Sequence, residues 1–371
     1  MTHEEYMKRA LELAVRAMGF TSPNPMVGAV IVRDGRILGE GWHKKYGELH
    51  AERDAFAFCD RNGIDCTGAD MYVTLEPCCH HGKQPPCTDA VIAQGIKRVF
   101  IGSADPNPLV AGKGVQLLRD AGIEVTENVL RNECDSINEI FFHYITTKRP
   151  FVTMKYAMTM DGKIACYTGS SKWITGEAAR EQVQRERLRH TAIMAGIGTV
   201  LADDPLLTCR LENGRDPVRI ICDSSLRIPL DSNIVRTAGT VPTVIAAISD
   251  DKAKINELEK LGCKVVVTAA KDGRVDLCDL MRILGEDMKI DSILLEGGAS
   301  LNWSALSSGI VTKVQAYIAP KLFGGETAKS PVGGSGVPSP DSAFMLTDSR
   351  TVRIGSDIMI ESRVKYVHGN S

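Results

Sequence analysis

The chain has 371 residues, 43% hydrophobic and 24% charged, with a formal net charge of −2. That length exceeds what one hydrophobic core usually supports and predicts two domains of an ordinary globular protein. A near-zero charge supplies no broad positive field to gather nucleic acid, no apolar run approaches the roughly 20 residues of a membrane span, and the polar, acidic start has the wrong order for a secretory signal. Eleven cysteines, an odd number, point to reduced thiols rather than a disulfide framework. The expectation is a cytoplasmic protein acting on a small phosphorylated molecule, without nucleic acid or membrane.

In chain order, Glu4 to Met18 carries an apolar stripe at helical spacing that ends at Gly19. Val27 to Val32 and Ile37 to Trp42 read as strands joined by Arg33-Asp34-Gly35-Arg36, whose Asp-Gly pair is a strong hairpin signal. A helix from about His50 to Cys59, a strand at Met71 to Leu75, a helix at about Thr88 to Gln94, a strand at Arg98 to Ser103, a helix at Gly114 to Ala121 and a strand at Ile123 to Val125 follow. The order αββαβαβαβ describes a three-layer αβα sandwich. Polar Thr146-Thr147-Lys148-Arg149-Pro150 precedes a fresh strand, Phe151 to Lys155, and sets the predicted boundary between residues 1–147 and 148–371. Beyond it, strands at Ala192 to Gly196, Val218 to Cys222, Thr243 to Ala247, Lys264 to Val267, Ser292 to Glu296 and Lys313 to Ile318 alternate with helices at Gly176 to Arg187, Lys252 to Leu261, Leu277 to Leu284 and Leu301 to Ser307. This is a second α/β domain, with Gly324 to Pro340 as a surface loop.

His50-Ala51-Glu52 opens a predicted helix, Glu76-Pro77-Cys78 follows a strand, and Pro86-Cys87 lies further on. One histidine and two cysteines make a three-ligand zinc site with an open position, as in catalytic sites. Glu52, two residues after His50, can face the same cavity without ligating and move a proton to a leaving amine, the pattern of zinc deaminases. Cys79, His80 and His81 adjoin these ligands, so the choice of ligand stays open; Cys78 is preferred because it follows Pro77 directly. A fourth ligand from that group would instead describe a structural zinc in a binding protein, and a nucleic-acid deaminase with an accessory domain is a further alternative.

Thr74 to Thr88, Pro23-Asn24-Pro25-Met26-Val27-Gly28 and Asp105 to Gly114 together resemble the bifunctional riboflavin biosynthesis deaminase-reductase family. Eight residues separate Cys78 from Cys87, whereas nucleic-acid deaminases place two between their cysteines. The resemblance implies a cytidine-deaminase-like domain with zinc on His50, Cys78 and Cys87, Glu52 as proton shuttle, and Asn24, His43, His80, Lys83, Asp105 and Asn107 around a diaminopyrimidinone ribosyl phosphate.

No G-x-G-x-x-G fingerprint occurs after residue 150. Glu296-Gly297-Gly298-Ala299-Ser300-Leu301 instead joins a strand to a helix and offers backbone amides for a cofactor phosphate. With Lys155 to Lys163, Ser170 to Thr175, Gly198 to Thr208 and Ala319 to Gly325, it resembles the reductase half of the same family, a dihydrofolate-reductase-like α/β fold. The resemblance implies NADPH contacts from Ala157, Trp173, Thr199, Asp203, Ser224 and the turn of Gly298, Ala299, Ser300, Leu301, Asn302, Trp303 and Ser304. It implies substrate contacts from Ser171, Arg187, Leu207, Arg210 and Glu296. Lys155 and Asp161 are the candidates to polarise or protonate the sugar. A homo-oligomer is expected.

Overall fold

A computed structural model of the chain describes residues 1–80, 84–107 and 110–366. It divides into two units, Met1–Lys148 and Arg149–Ser371.

In the first unit, α1 (His3–Ala14) is closed at its start by a capping box between Thr2 and Glu5. β1 (Gly28–Arg33) and β2 (Arg36–Trp42) form the hairpin, with Asp34 and Gly35 both at positive φ as the tight turn requires. Next come α2 (Ala51–Arg61), β3 (Asp70–Leu75), α3 (Cys87–Ala93), β4 (Arg98–Ser103), α4 (Lys113–Asp120) and β5 (Glu124–Thr126). The sheet order is β2-β1-β3-β4-β5, with β1 antiparallel to both neighbours and β3, β4 and β5 parallel. Ala29, Ile31, Met71, Val73 and Ile101 face α2, α3 and α4, while Val30, Val32, Tyr72 and Phe100 face α1. Burial on both faces is why these strands read as continuous apolar runs.

Two helices, α5 (Arg131–Ile137) and α6 (Glu139–Thr147), extend the expected order. Neither carries a side-chain cap, α5 starts from Leu130 at positive φ, and α6 is built from aromatic and β-branched residues with weak helix propensity. Tertiary packing, which adds Phe141 to the core, holds them helical.

In the second unit, β6 (Phe151–Thr159), α7 (Glu177–Arg189), β7 (Ala192–Gly196), α8 (Ile197–Asp203), β8 (Val218–Cys222), α9 (Asn233–Arg236), β9 (Thr243–Ala247), α10 (Lys252–Lys260) and β10 (Cys263–Val267) come first. A small hairpin of β11 (Ala270–Lys271) and β12 (Arg274–Val275) leads to α11 (Leu277–Arg282), β13 (Ser292–Leu295), α12 (Ala299–Ser307) and β14 (Lys313–Ala319). The chain then adds a long hairpin, β15 (Met345–Ile354) and β16 (Asp357–Lys365), giving the sheet order β10-β9-β8-β7-β13-β6-β14-β16-β15. Strands β10 to β14 in that order run parallel, and the last hairpin is antiparallel. The hairpin leaves no clear strand periodicity in the sequence because β15 is exposed along nearly its whole length and polar and charged residues interrupt Met345, Leu346 and Val352.

Arg219 on β8 is fully buried and spends its guanidinium on neutral acceptors: the carbonyls of Leu206, Ile234 and Val241 and the hydroxyls of Thr237 and Thr243. It thereby ties α9 and the segment after α8 to the sheet.

Candidate active sites

His50 is the residue just before α2, Glu52 lies on that helix's first turn, and Cys87 is the first residue of α3. Gly41 lets α2 sit this close to β2, since a β-carbon there would lie 2.2 Å from the Ala55 nitrogen. The Sγ atoms of Cys78 and Cys87 lie 3.5 and 3.4 Å from His50 Nδ1, and the three donor atoms fall within 4.8 Å of one another. Tetrahedral zinc with about 2.3 Å to sulfur and about 2.0 Å to nitrogen separates such donors by about 3.5 Å, so the set fits the metal. The backbone N–H of Cys87 donates to Cys78 Sγ at 3.4 Å. The Cys87 thiol, then the His50 imidazole, pull the Cys78 thiol down, and the Cys87 thiol is correspondingly pushed up. Burial pushes the Glu52 carboxyl up as well, and the side chain is 3% exposed.

A cavity of about 320 Å³ opens beside this cluster, lined by Asn24, His43, His50, Glu52, Cys78, His80, Asp105 and Asn107 among others. Lys83, expected with them, lies outside the described residues. His43 Nδ1–H donates to the Leu49 carbonyl at 2.9 Å, leaving Nε2 to accept from the Asn24 amide at 3.2 Å. Burial lowers the His43 pKa, which agrees with that neutral tautomer. Burial raises Asp105 to about 6, against the hydrogen bond it accepts from the Asn107 N–H at 2.8 Å. His80 Nδ1 is buried with no protein partner among the described residues, as a group awaiting a ligand would be.

The pocket's other wall carries no residue-type signal in the sequence. Phe141, Tyr144 and Ile145 of α6 line the cavity. Asn138, between α5 and α6, accepts from the Met26 N–H at 2.8 Å and donates to the Met26 carbonyl at 2.9 Å, fixing the segment that carries Asn24. A buried asparagine between two polar turns is a signal legible only once both helices are recognised.

In the second unit Trp173, Thr199, Ser224 and the Glu296 to Ser304 segment follow the carboxyl ends of β6, β7, β8 and β13, neighbouring parallel strands whose ends share one edge of the sheet, the usual place for ligands in α/β folds, while Lys155 and Ala157 lie within β6 itself. Arg187 on α7 grips Glu296 through Nε at 2.8 Å and Nη2 at 3.1 Å, and also donates to the Thr208 carbonyl at 2.8 Å. Lys155 Nζ lies 3.7 Å from Glu296 Oε2, the oxygen that also accepts from Arg187 Nη2, and 5.8 Å from the centre of the ring of Tyr317, which pairs in register with Ala157 of β6. Burial alone would raise Glu296, yet the charges of Arg187 and Lys155 outweigh it and hold the carboxyl at about 2. Leu207 is buried at positive φ, and the Arg210 N–H donates to Gln184 Oε1 at 2.9 Å.

Gly298 directly precedes α12 and neighbours Thr199 of α8, whose Oγ1 lies 4.0 Å from where a Gly298 β-carbon would sit. The loop after β14 is fastened to α12: Gly333 N–H donates to the Ala299 carbonyl at 3.0 Å, and the Asn302 amide donates to the Pro331 carbonyl at 2.9 Å. Trp303 packs edge-on against Phe344 at 5.9 Å. Ser300 is exposed, Ser171, Leu301 and Ser304 are half-buried, and Asp203 ends α8 exposed. The exposed Trp173 ring lies 4.7 Å from the Arg180 guanidinium, and the Ser224 hydroxyl accepts from the Val275 N–H at 3.2 Å.

Asp161, expected near the sugar, lies in the turn after β6. Its carboxylate accepts from the Thr159 hydroxyl and from the N–H groups of Phe323 and Gly324, the Thr159 bond first among the causes that lower it to about 2. The bonds from Phe323 and Gly324 fasten the loop after β14 to the turn after β6.

The fold and the donor geometry define a zinc-type deaminase unit joined to an α/β reductase unit. Residues 1–103 match the cytidine and deoxycytidylate deaminase zinc-binding region, and residues 150–360 match the RibD C-terminal domain. The chain is 57% identical to the riboflavin biosynthesis protein RibD of Actinobacillus pleuropneumoniae over 97% of its length and 95% of that protein, and 45% identical to the RibD of Bacillus amyloliquefaciens over 96% and 95%. The structure of RibD from Acinetobacter baumannii superposes with a TM-score of 0.85 at 35% identity, covering 98% of this chain and 99% of that one. A diaminohydroxyphosphoribosylaminopyrimidine deaminase/5-amino-6-(5-phosphoribosylamino)uracil reductase from Thermotoga maritima gives 0.83 at 38% identity, covering 98% and 99%. The chain belongs to the RibD family, the bifunctional deaminase-reductases of riboflavin biosynthesis.

Proposed function

We propose that the first unit, residues 1–147, deaminates 2,5-diamino-6-ribosylamino-4(3H)-pyrimidinone 5′-phosphate, and that the second, residues 148–371, reduces the product's ribosyl group to ribityl with NADPH. The product is 5-amino-6-ribitylamino-uracil 5′-phosphate. The observation that carries this reading is the convergence of His50, Cys78 and Cys87 beside buried Glu52 in a cavity of small-molecule size.

When bound, zinc supplies the polarisation that activates water near neutral pH, and the nicotinamide supplies the hydride. His50, Cys78 and Cys87 hold the metal. Glu52 moves a proton from the attacking water to the departing ammonia, while the ring carbon exchanges its amino group for oxygen. Neutral His43, Asn24, Asp105 and Asn107 orient the ring and the ribose hydroxyls; His80 and Lys83 take the polar ring edge or the phosphate.

In the reductase, Ala157, Trp173, Thr199, Asp203, Ser224 and the Gly298 to Ser304 turn hold NADPH, and Ser171, Leu207, Arg210 and the Arg187–Glu296 pair hold the substrate. Lys155, beside Glu296, would give the sugar oxygen its proton.

The near-zero charge and the cavity size support a small phosphorylated substrate rather than nucleic acid. No helix among the described residues is long and apolar enough to cross a membrane. Eleven free cysteines support a reducing, cytoplasmic location. A homo-oligomer is supported by the exposed outermost strand β15, which carries Met345, Leu346 and Val352.

The test follows NADPH absorbance on the diaminopyrimidinone ribosyl phosphate, with and without a zinc chelator. Oxidation should stop on chelation and return when the deaminated compound is supplied. Oxidation of the undeaminated substrate after thorough zinc removal would overturn the order of steps.

A further inference from the structure

Glu76 belongs neither to the metal donors nor to the proton shuttle, yet it is 4% exposed and borders the deaminase cavity. Its carboxylate is spent on the backbone. Oε2 accepts from the N–H groups of Asp105 at 3.4 Å and Gly112 at 3.0 Å, and Oε1 accepts from Gly114 at 3.0 Å and Val115 at 3.2 Å. Its own N–H donates to the carbonyl of Ser103, the last residue of β4, at 2.9 Å.

Gly114 and Val115 lie in the first turn of α4, where N–H groups lack partners within the helix and negative charge is favoured. Bonds from amides to a carboxylate are stronger than those between neutral groups. One side chain therefore grips the chain leaving β4 at Asp105 and again at the entry to α4. Asp105 in turn accepts from the Asn107 N–H at 2.8 Å, so both polar groups hang from the gripped segment. Glu76 stands two residues before Cys78, so one short stretch after β3 delivers a metal donor and the anchor of the opposing arm.

The geometry points to Glu76 as a positioning residue of the deaminase: its carboxylate sets the arm that presents Asp105 and Asn107 to the pyrimidine. The inference rests on the reading of Asp105 as a substrate contact.

The test compares zinc-loaded full-length wild type, Glu76→Gln, Asp105→Ala and the double variant, reading zinc content, deamination kinetics and NADPH oxidation on the deaminated compound. Glu76→Gln keeps the side-chain size but turns an NH2 toward N–H groups. It should keep its zinc and its reductase rate, while KM for deamination rises about ten- to a hundredfold and kcat changes less. The double variant should be little worse than Asp105→Ala, because both changes act through one contact.

A wild-type KM in Glu76→Gln beside a raised KM in Asp105→Ala overturns the inference and leaves the site reading standing. A wild-type KM in Asp105→Ala removes the site reading and the inference with it. A KM change that merely tracks lost zinc also overturns the inference. Should Glu76→Gln fail to fold, Glu76→Asp decides: a raised KM with faster amide exchange at Gly112 and Gly114 supports positioning, and unchanged values for both overturn it.

Discussion

In the deaminase unit the reactive groups are unspent: three metal-type donors converge within 4.8 Å, and His80 Nδ1 is buried with no protein partner among the described residues. In the reductase unit the charged groups are spent on one another, with Glu296 held by Arg187 at 2.8 Å and flanked by Lys155 at 3.7 Å. The difference reflects where the chemistry resides. A deaminase must supply ligands and a proton shuttle from its own side chains, whereas a reductase leaves the difficult step to its cofactor and mainly aligns and shields.

The largest effects should separate the halves. Glu52→Gln should keep its zinc while deamination falls by about 10²- to 10⁴-fold, the usual contribution of a positioned acid–base group. NADPH oxidation on the deaminated compound should stay at the wild-type rate. Metal analysis with both assays checks this; a variant deaminating normally would remove the shuttle role.

Glu296→Gln attacks the other half. It leaves Arg187 and Lys155 without their shared counter-charge in a largely buried site, and breaking such a cluster costs about 3–5 kcal/mol. The reductase unit should unfold at lower urea while the deaminase keeps its activity. Equal stability of variant and wild type would mean that the cluster is solvated in solution.

The same contrast decides what could be read from the sequence. His50, Cys78 and Cys87 belong to rare residue types, and with Glu52 they follow the spacing of a zinc deaminase, so the first site was legible before any fold was known. The inner strands of both sheets were legible because burial on both faces makes them apolar runs, whereas exposed β15 was not. Helices α5 and α6, the second of which supplies the cavity wall at Phe141 and Tyr144, were not, since packing rather than caps or propensity holds them. Glu76, quoted only as part of the Glu76-Pro77-Cys78 run, and Asn138 received no role because their partners are backbone groups, which leave no residue-type signature. In the reductase, the roles of Thr199, Ser224 and Trp173 came from family resemblance alone; backbone-rich cofactor sites write little into side chains.

A smaller effect tests whether the loop after β14 matters to the cofactor turn. Gly334 sits at φ 75°, where a β-carbon would lie 2.1 Å from Trp303 Cδ1 on α12. Gly334→Ala should cost about 1–3 kcal/mol through strain and overpacking. It should raise KM for NADPH, with deamination unchanged. Unaltered NADPH kinetics in a destabilised variant would limit the loop to a structural role.

A last contrast between the units is a difference in sign with pH. Asp105, raised by burial to about 6 from an ordinary 3.8, binds its proton more tightly folded than unfolded. Its contribution therefore favours folding most below pH 4, declines as pH rises toward 6, and is level above that. Glu296, held at about 2 against an ordinary 4.5, does the reverse: its contribution is complete above pH 4.5 and fades as pH falls toward 2. Urea midpoints of each unit between pH 3 and 7, compared with those of Asp105→Asn and Glu296→Gln, isolate the two terms. The asparagine variant should gain on wild type as pH rises from 4 to 6, and the glutamine variant should lose least at the acid end. Parallel pH curves for Asp105→Asn and wild type would mean that Asp105 is solvated, and its polar face would then be open to water rather than reserved for a pyrimidine.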